Sequence, residues 1–155
     1  MGSGKSVVGA LVAKRVRAPF HDLDRMIEDE AGMTIAEIFA ASGEVGFRAL
    51  ESRVLPRALE SGAVVALGGG TVINDTNWQV VAAGSSTIYL EVPFPTIWER
   101  IRMLKGRPLA TGRSMEEVKA LFEQRRPRYE QALQRVDGDR PPTLVAAEVI
   151  KLWSA

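Results

Sequence analysis

The order of apolar runs and helical stretches predicts an α/β domain built on a parallel sheet. Three observations carry that expectation. Short apolar runs such as Val64–Leu67 and Ser86–Val92 alternate with stretches of helical period. Glycines cluster where strand gives way to turn, as in Gly68-Gly69-Gly70, and around Gly2 and Gly4 ahead of the first helix. Strands separated by helices must cross over to pair in parallel, which covers the sheet with helices.

Each element follows from its own pattern. Ser6 to Val16 places Val8, Leu11, Val12 and Arg15 at helical spacing. Phe20-His21-Asp22 reads as the end of a short strand, with His21 as an ordinary strand or surface residue. Asp24 to Ala31 and Thr34 to Ala41 read as helices, the second opened by Thr34 and Glu37 in capping-box spacing. Val45 to Glu60 is a further amphipathic helix. Val64 to Leu67 reads as a buried strand feeding a glycine turn. Thr76 to Ala83 is helical, and Ser86 to Val92 is the clearest strand. Thr96 to Leu104 is helical, and so is Met115 to Arg125, with acidic residues in its first turn as the helix dipole favours. A weak strand is expected near Leu133 to Val136. Pro142 then starts a last helix that runs to about Trp153.

Composition removes several function classes. The chain has 155 residues, enough for one domain with its own core. It has no cysteine, so disulfides, thiolate metal sites and a cysteine nucleophile are excluded. A formal net charge of +1 gives no argument for nucleic acid. No apolar run approaches the roughly 20 residues of a membrane span. A cytoplasmic protein without nucleic-acid or membrane partners is expected.

The first residues carry the most specific chemistry. Gly2-Ser3-Gly4-Lys5-Ser6 matches the last five positions of GxxxxGK[ST]. Glycines let backbone N–H groups converge on phosphate oxygens. The helix that follows adds its positive end. Lys5 can reach the β- and γ-phosphates, and the Ser6 hydroxyl can ligate Mg²⁺. Downstream, Asp22 and Asp24 stand two apart and point the same way on an extended segment. One can hold the water shell of Mg²⁺ and the other can serve an acceptor hydroxyl. Asp24 also suits the N-cap of the helix behind it.

Arg48 and Glu51 share a helix face, so Glu51 can orient the guanidinium toward a carboxylate. Gly68, Gly69 and Gly70 imply close backbone approach to a ligand. Arg107-Pro108-Leu109 opens a polar, glycine-containing stretch that reads as a lid, with Arg107 over the phosphates. Arg125 closes the following helix.

Taken in register, these motifs resemble the shikimate kinases. The likeness rests on MGSGKS at Met1–Ser6 and on Asp22, Asp24, Ile27 and Glu28. It rests further on Phe47, Arg48 and Glu51, on Gly68–Gly70, on Arg107–Leu109, and on Arg125, Pro127 and Tyr129. It runs from Met1 to about Val136. The resemblance implies a three-layer P-loop kinase fold with strand order 2-3-1-4-5, in one domain over 1–155. A substrate region is implied at about 24–56 and a lid at about 107–116. It implies ATP-dependent phosphorylation of the 3-hydroxyl of shikimate, with Mg²⁺, by a monomer.

By the same resemblance, Lys5, Asp24 and Arg107 are the catalytic residues, and Asp24 sits at the reacting hydroxyl. ATP is implied to meet Gly2, Ser3, Gly4, Lys5, Ser6, Val7, Arg100 and Arg107, with Arg100 stacking on adenine. Shikimate is implied to meet Asp24, Arg48, Glu51, Gly68, Gly69, Gly70 and Arg125. Ser6 and, through water, Asp22 are the implied metal ligands. The departures are Val7, where the family often has threonine, and the extra arginines Arg126 and Arg128. Two rival readings are a different small-metabolite P-loop kinase, such as one for gluconate, and a nucleotide-binding relative without catalysis. A short lid and paired arginines suit a lone carboxylate better than a nucleotide acceptor. Lys5, Asp24 and Arg107 argue against lost catalysis.

A P-loop joins a strand to a helix. Here the helix and half the loop are present, while the strand and the first glycine are not. The expectation is a gap between the Val64–Leu67 and Thr87–Leu90 strands. The chain as written is then expected to fold poorly or lack activity, and to gain it when extended upstream by about ten residues.

Overall fold

The computed structural model describes residues 2–59, 62–103 and 112–153. Helix α1 (Lys5–Val16) leads into strand β1 (Phe20–Asp22) and helix α2 (Leu23–Ala31). Helix α3 (Ile35–Ala58), strand β2 (Val64–Ala66), a 3-10 turn (Thr71–Ile73) and helix α4 (Asp75–Gly84) follow. Strand β3 (Ile88–Glu91), helices α5 (Phe94–Arg102) and α6 (Met115–Tyr129), strand β4 (Gln134–Asp137) and helix α7 (Pro142–Trp153) complete the order.

Local chemistry sets most of the boundaries. The α2 cap differs from the sequence expectation: Asp22, not Asp24, is the N-cap, and its Oδ1 accepts the Asp24 backbone N–H at 3.1 Å. Helix α2 therefore starts one residue earlier. Thr34 and Glu37 form the capping box that opens α3, and the Glu28 carboxylate accepts the Ile35 N–H beside it. The two helices expected over 34–41 and 45–60 are both present, and they meet within α3 across a kink at Gly43 (φ 65°, ψ −171°). That backbone region is open essentially to glycine alone. Ser114 and Glu117 form a second capping box, at the start of α6. The expected weak strand is present as β4, shifted by one residue.

Strands β1 and β2 pair in parallel, Phe20 opposite Val64 and Asp22 opposite Ala66. Strands β3 and β4 do the same, Ile88 opposite Gln134 and Glu91 opposite Asp137. Among the described residues the two pairs are separate sheets, and no ladder joins β2 to β3.

The core is divided accordingly. Leu23, Ile27, Ile38, Phe47, Leu55 and Val81 form one buried cluster, with Val65 and Leu67 packed against it. Val8, Val12, Leu90, Val136, Val145 and Val149 form a second, on which Val64 and Ile88 pack. A third lies between α5 and α6, around Ile97, Ile101, Val118 and Phe122. Neighbouring residues of β2 thus pack on different helical layers, as the period of two in a strand requires. Among the described residues no helix is long and apolar enough to cross a membrane.

Candidate active site

The carboxyl ends of β1 and β2 converge on one polar cluster. Its centre is Glu51, a carboxylate only 1% exposed on α3. Arg48, one turn earlier, donates from Nη1 to Glu51 Oε2 at 2.8 Å. The Thr71 hydroxyl donates to Glu51 Oε1 at 2.6 Å. Asn77 closes the chain by donating its side-chain amide to the Thr71 carbonyl at 3.2 Å. Both carboxylate oxygens are thereby engaged, as a buried charge requires. Among the described residues no buried side-chain nitrogen or oxygen lacks a partner. Arg48 also lies 5.1 Å from the centre of the Phe47 ring, which restricts the guanidinium further.

The glycine turn fits this cluster closely. A β-carbon on Gly70 would stand 2.3 Å from Arg48 Nη2. One on Gly68 would stand 2.9 Å from the Thr71 hydroxyl, 3.2 Å from Asp24 Oδ1 and 3.3 Å from Glu51 Oε1. The bare backbone of Gly68 is thus what lets Asp24, Glu51 and Thr71 gather. Gly69 is held differently: its carbonyl accepts the Tyr129 hydroxyl at 2.6 Å. Tyr129 ends α6, one turn after Arg125, which is 7% exposed. Burial pushes the Tyr129 phenol up from its usual pKa, and the neighbouring Arg125 guanidinium partly offsets it. Arg48, Arg125, Gly70 and Asn77 line a cavity of about 230 Å³. Two guanidiniums on one small cavity form a site for an anion, and their forked donors suit a carboxylate.

On the other side stands the glycine loop. Gly2 (φ 59°) and Gly4 (φ 85°) are left-handed, and Gly4 is the N-cap of α1 without a side-chain hydrogen bond. A β-carbon on Gly2 would lie 3.1 Å from the Ile97 carbonyl and from Ile101, so α5 supports the loop. Arg100 of α5 donates from Nη1 to the Gly2 carbonyl at 3.3 Å and pairs with Asp139 at 3.6 Å. Gly9 admits the Phe20 ring, whose edge would be 2.7 Å from a β-carbon there. That contact packs α1 closely on β1, the strand that ends at Asp22. Ser6 and Val7 are exposed on the first turn of α1.

Magnesium fits the donors available. Among the described residues no three histidine, cysteine or carboxylate side chains gather as a cation cage. Ser6 and Asp22 offer hard oxygen donors without such a cage. That donor set suits Mg²⁺, which keeps several waters and is held largely by substrate phosphates.

The structure brings together Asp24, Arg48, Glu51, Gly68, Gly69, Gly70 and Arg125. Arg107 lies outside the described residues, as does the first half of the expected lid, to residue 111. Of that stretch, Gly112 is left-handed and Ser114 caps α6. His21 is structural: its Nδ1 donates to the Ala58 carbonyl at 2.8 Å and ties β1 to the end of α3. Arg128 reaches back to pair with Asp75 and lies over the Trp78 ring. Arg126 pairs with Glu123 and Glu130 at the surface. The residues that sequence reasoning left out of the site are Thr71, Asn77 and Tyr129. Tyr129 had a signal, since it closes the Arg125–Pro127 motif.

The chain is similar to known shikimate kinases over nearly its whole length. A family model for shikimate kinase matches residues 1–153. The shikimate kinase of Aquifex aeolicus is 36% identical over 97% of this chain and 89% of its own length. That of Synechococcus elongatus is 43% identical over 98% of this chain and 82% of its own. The crystal structure of the Aquifex aeolicus shikimate kinase superposes with a TM-score of 0.88 at 35% identity, over 99% of this chain and 92% of that one. The shikimate kinase of Acinetobacter baumannii in complex with shikimate gives a TM-score of 0.94 at 30% identity, over 99% of this chain and 88% of that one.

Proposed function

This chain belongs to the shikimate kinase family, and on that premise we propose that it phosphorylates shikimate at its 3-hydroxyl, with ATP as the donor. The observation that carries the assignment of roles is the pairing of Arg48 and Arg125 on one small cavity, beside Asp24 and the glycine turn.

Arg48 and Arg125 hold the substrate carboxylate by forked hydrogen bonds. Glu51 keeps Arg48 in its productive rotamer, and the backbone of Gly68 to Gly70 receives the ring. Asp24 accepts the hydrogen bond of the reacting hydroxyl and orients its oxygen toward the γ-phosphate. The backbone of Gly2 to Gly4 and the start of α1 cradle the phosphates, with Lys5 bridging toward the γ-phosphate. Val7 lies beside the loop, Arg100 flanks the adenine and Arg107 covers the transferring group. Ser6 would hold Mg²⁺, with Asp22 acting through its water shell. When bound, the metal would supply charge neutralisation on the phosphate oxygens. Transfer is then catalysed by alignment and charge, with little covalent work asked of the protein.

The reading includes a monomer acting in the cytoplasm. A coupled assay tests the assignment directly: ADP release should depend on shikimate and should not follow addition of gluconate. ADP release indifferent to shikimate would remove it.

A further inference from the structure

Arg48 is paired with two carboxylates of its own helix, and the two are not alike. Glu51, three positions on, is 1% exposed and accepts from Arg48 Nη1 at 2.8 Å. Its other oxygen accepts the Thr71 hydroxyl at 2.6 Å. Glu44, four positions back, is 54% exposed and lies 3.4 Å from Arg48 Nη2. The kink at Gly43 makes Glu44 the opening residue of the second half of α3. Glu51 is fixed by burial and by two donors. Glu44 is held by a long, accessible ion pair, a kind that water and salt exchange at little cost.

The nitrogen that Glu44 meets is the one a ligand needs. Arg48 Nη2 is also the atom that a β-carbon on Gly70 would strike, so it faces the glycine turn. Glu44, Arg48, Gly70 and Arg125 all line the cavity of about 230 Å³. Among the described residues, the charged groups on that cavity are Glu44, Arg48 and Arg125, and Glu51 stands directly behind Arg48. Two cations therefore face two carboxylates, and the empty pocket is balanced. An arriving carboxylate must take the place of Glu44 on Arg48. Glu44 can yield, because its carboxylate turns into water. Glu51 cannot, because its departure would leave a buried charge unpaired.

We propose that Glu44 is a specificity-determining residue, an exchangeable counter-ion that admits one carboxylate to the pocket of Arg48 and Arg125 and turns away acids with a second negative charge. The inference rests on the acid-binding role given to that pocket above. Once a monocarboxylate has displaced Glu44, both guanidiniums are matched. A second carboxylate on the ligand finds no cation and meets the charge of Glu44. Coulomb energy is linear in the charge of the ligand. The factor that Glu44 costs a monoanion is therefore about squared for a dianion of the same frame. At a partly exposed site, removing the charge should gain roughly 2- to 5-fold for the monoanion and roughly 4- to 25-fold for the dianion. A purely helical role predicts something else. An acid in the first turn of a helix supports that helix, so its loss would lower the melting temperature and leave acid binding alone.

The test is Glu44→Gln in the full chain, with calorimetry at low ionic strength and slightly alkaline pH. The ligands are shikimate, benzoate and phthalate, the last two sharing one ring with one and two carboxylates. Shikimate and benzoate should bind roughly 2- to 5-fold more tightly than to the unsubstituted chain, and phthalate roughly 4- to 25-fold more tightly. ATP binding should stay within twofold, and high salt should shrink all the gains. Glu44→Asp keeps the charge and should bind phthalate as weakly as the unsubstituted chain does. A phthalate gain no larger than the benzoate gain overturns the proposal, as does any loss of benzoate affinity. If benzoate and phthalate bind and shikimate does not, the proposed function falls, while the charge comparison still decides the role of Glu44. Absence of saturable binding for every acid overturns both.

Discussion

The two halves of the candidate site are organised by different physics. Around Glu51 the order resides largely in side chains: Arg48 and Thr71 donate to the buried carboxylate, and Asn77 donates in turn to the Thr71 carbonyl. Around Gly2 to Lys5 the order resides in backbone: left-handed glycines and a helix end that carries no side-chain cap. The first half is preorganised before any ligand arrives. The second offers donors that a ligand must complete. Damage to the first should therefore appear as lost recognition of the acid, and damage to the second as lost phosphoryl transfer.

The sharpest break in that comparison is Lys5→Ala. It should lower kcat by on the order of 10²–10³, the cost of removing one preorganised group at developing charge, while shikimate binding by calorimetry stays within twofold. Loss of both together would mean that the halves are not separable. Next in size are Arg48→Lys and Arg125→Lys. Lysine keeps the charge and loses the fork, at about 1.5–3 kcal/mol for a charged hydrogen bond. The KM for shikimate should rise roughly 10- to 100-fold, with the KM for ATP little changed. Equal rises for both substrates would assign these arginines to the fold.

Gly70→Ala sharpens the contrast, because it touches the acid half through backbone alone. Its β-carbon would stand 2.3 Å from Arg48 Nη2, so the guanidinium must move. The expected outcome is a shikimate KM raised about tenfold, one hydrogen bond to a charged group, and an unchanged melting curve. An unchanged KM would show that Arg48 can relocate without loss.

The smallest expected effect belongs to Tyr129→Phe. Loss of the hydroxyl frees the Gly69 carbonyl and costs about 1 kcal/mol, read as a several-fold rise in shikimate KM. The same substitution has a pH signature. The Tyr129 pKa is raised by burial, so the folded chain keeps the phenolic proton at pH values where the unfolded chain has lost it. Stability is then full below the ordinary tyrosine range near pH 10 and falls as pH rises through the folded pKa. In Tyr129→Phe that alkaline decline should be shallower in urea unfolding between about pH 9 and 11. A decline of the same steepness would assign it elsewhere, with Tyr89, also raised chiefly by burial, as the next candidate.

The fold was legible where periodicity is strong. Helices α1, α2 and α7 and the parallel pairing follow from apolar spacing and element order. Boundaries were less so, because the short side chains of Asp22 and Asp24 make equally good caps and only tertiary packing chooses between them. Gly43 was legible, since a glycine inside a helical pattern reads as a stop and the backbone does leave helical geometry there. In the site, residues with special chemistry (Lys5, Arg48, Glu51, the three glycines) were visible as motifs. Thr71 and Asn77 were not: they act by satisfying a buried carboxylate, and nothing local in the sequence marks a residue for that work. Arg128 shows the opposite case, since its pairing with Asp75 spans 53 positions and follows no local pattern.

The bare glycine cap of α1 has a thermodynamic consequence. Helices α2, α3, α4 and α6 each close their first turn with a side chain of their own. Helix α1 does not, and its first turn has no acidic residue. On the proposed function the nucleotide's phosphates would supply what that end lacks, and ATP would then be a stabilising ligand of the native state as well as a reactant. At a hundred times its Kd, a ligand bound only by the native state adds about 2.7 kcal/mol to stability. A chain carrying a mildly destabilising substitution elsewhere would then survive in an energised cell and unfold when nucleotide is depleted. Its abundance would report the energy charge around it.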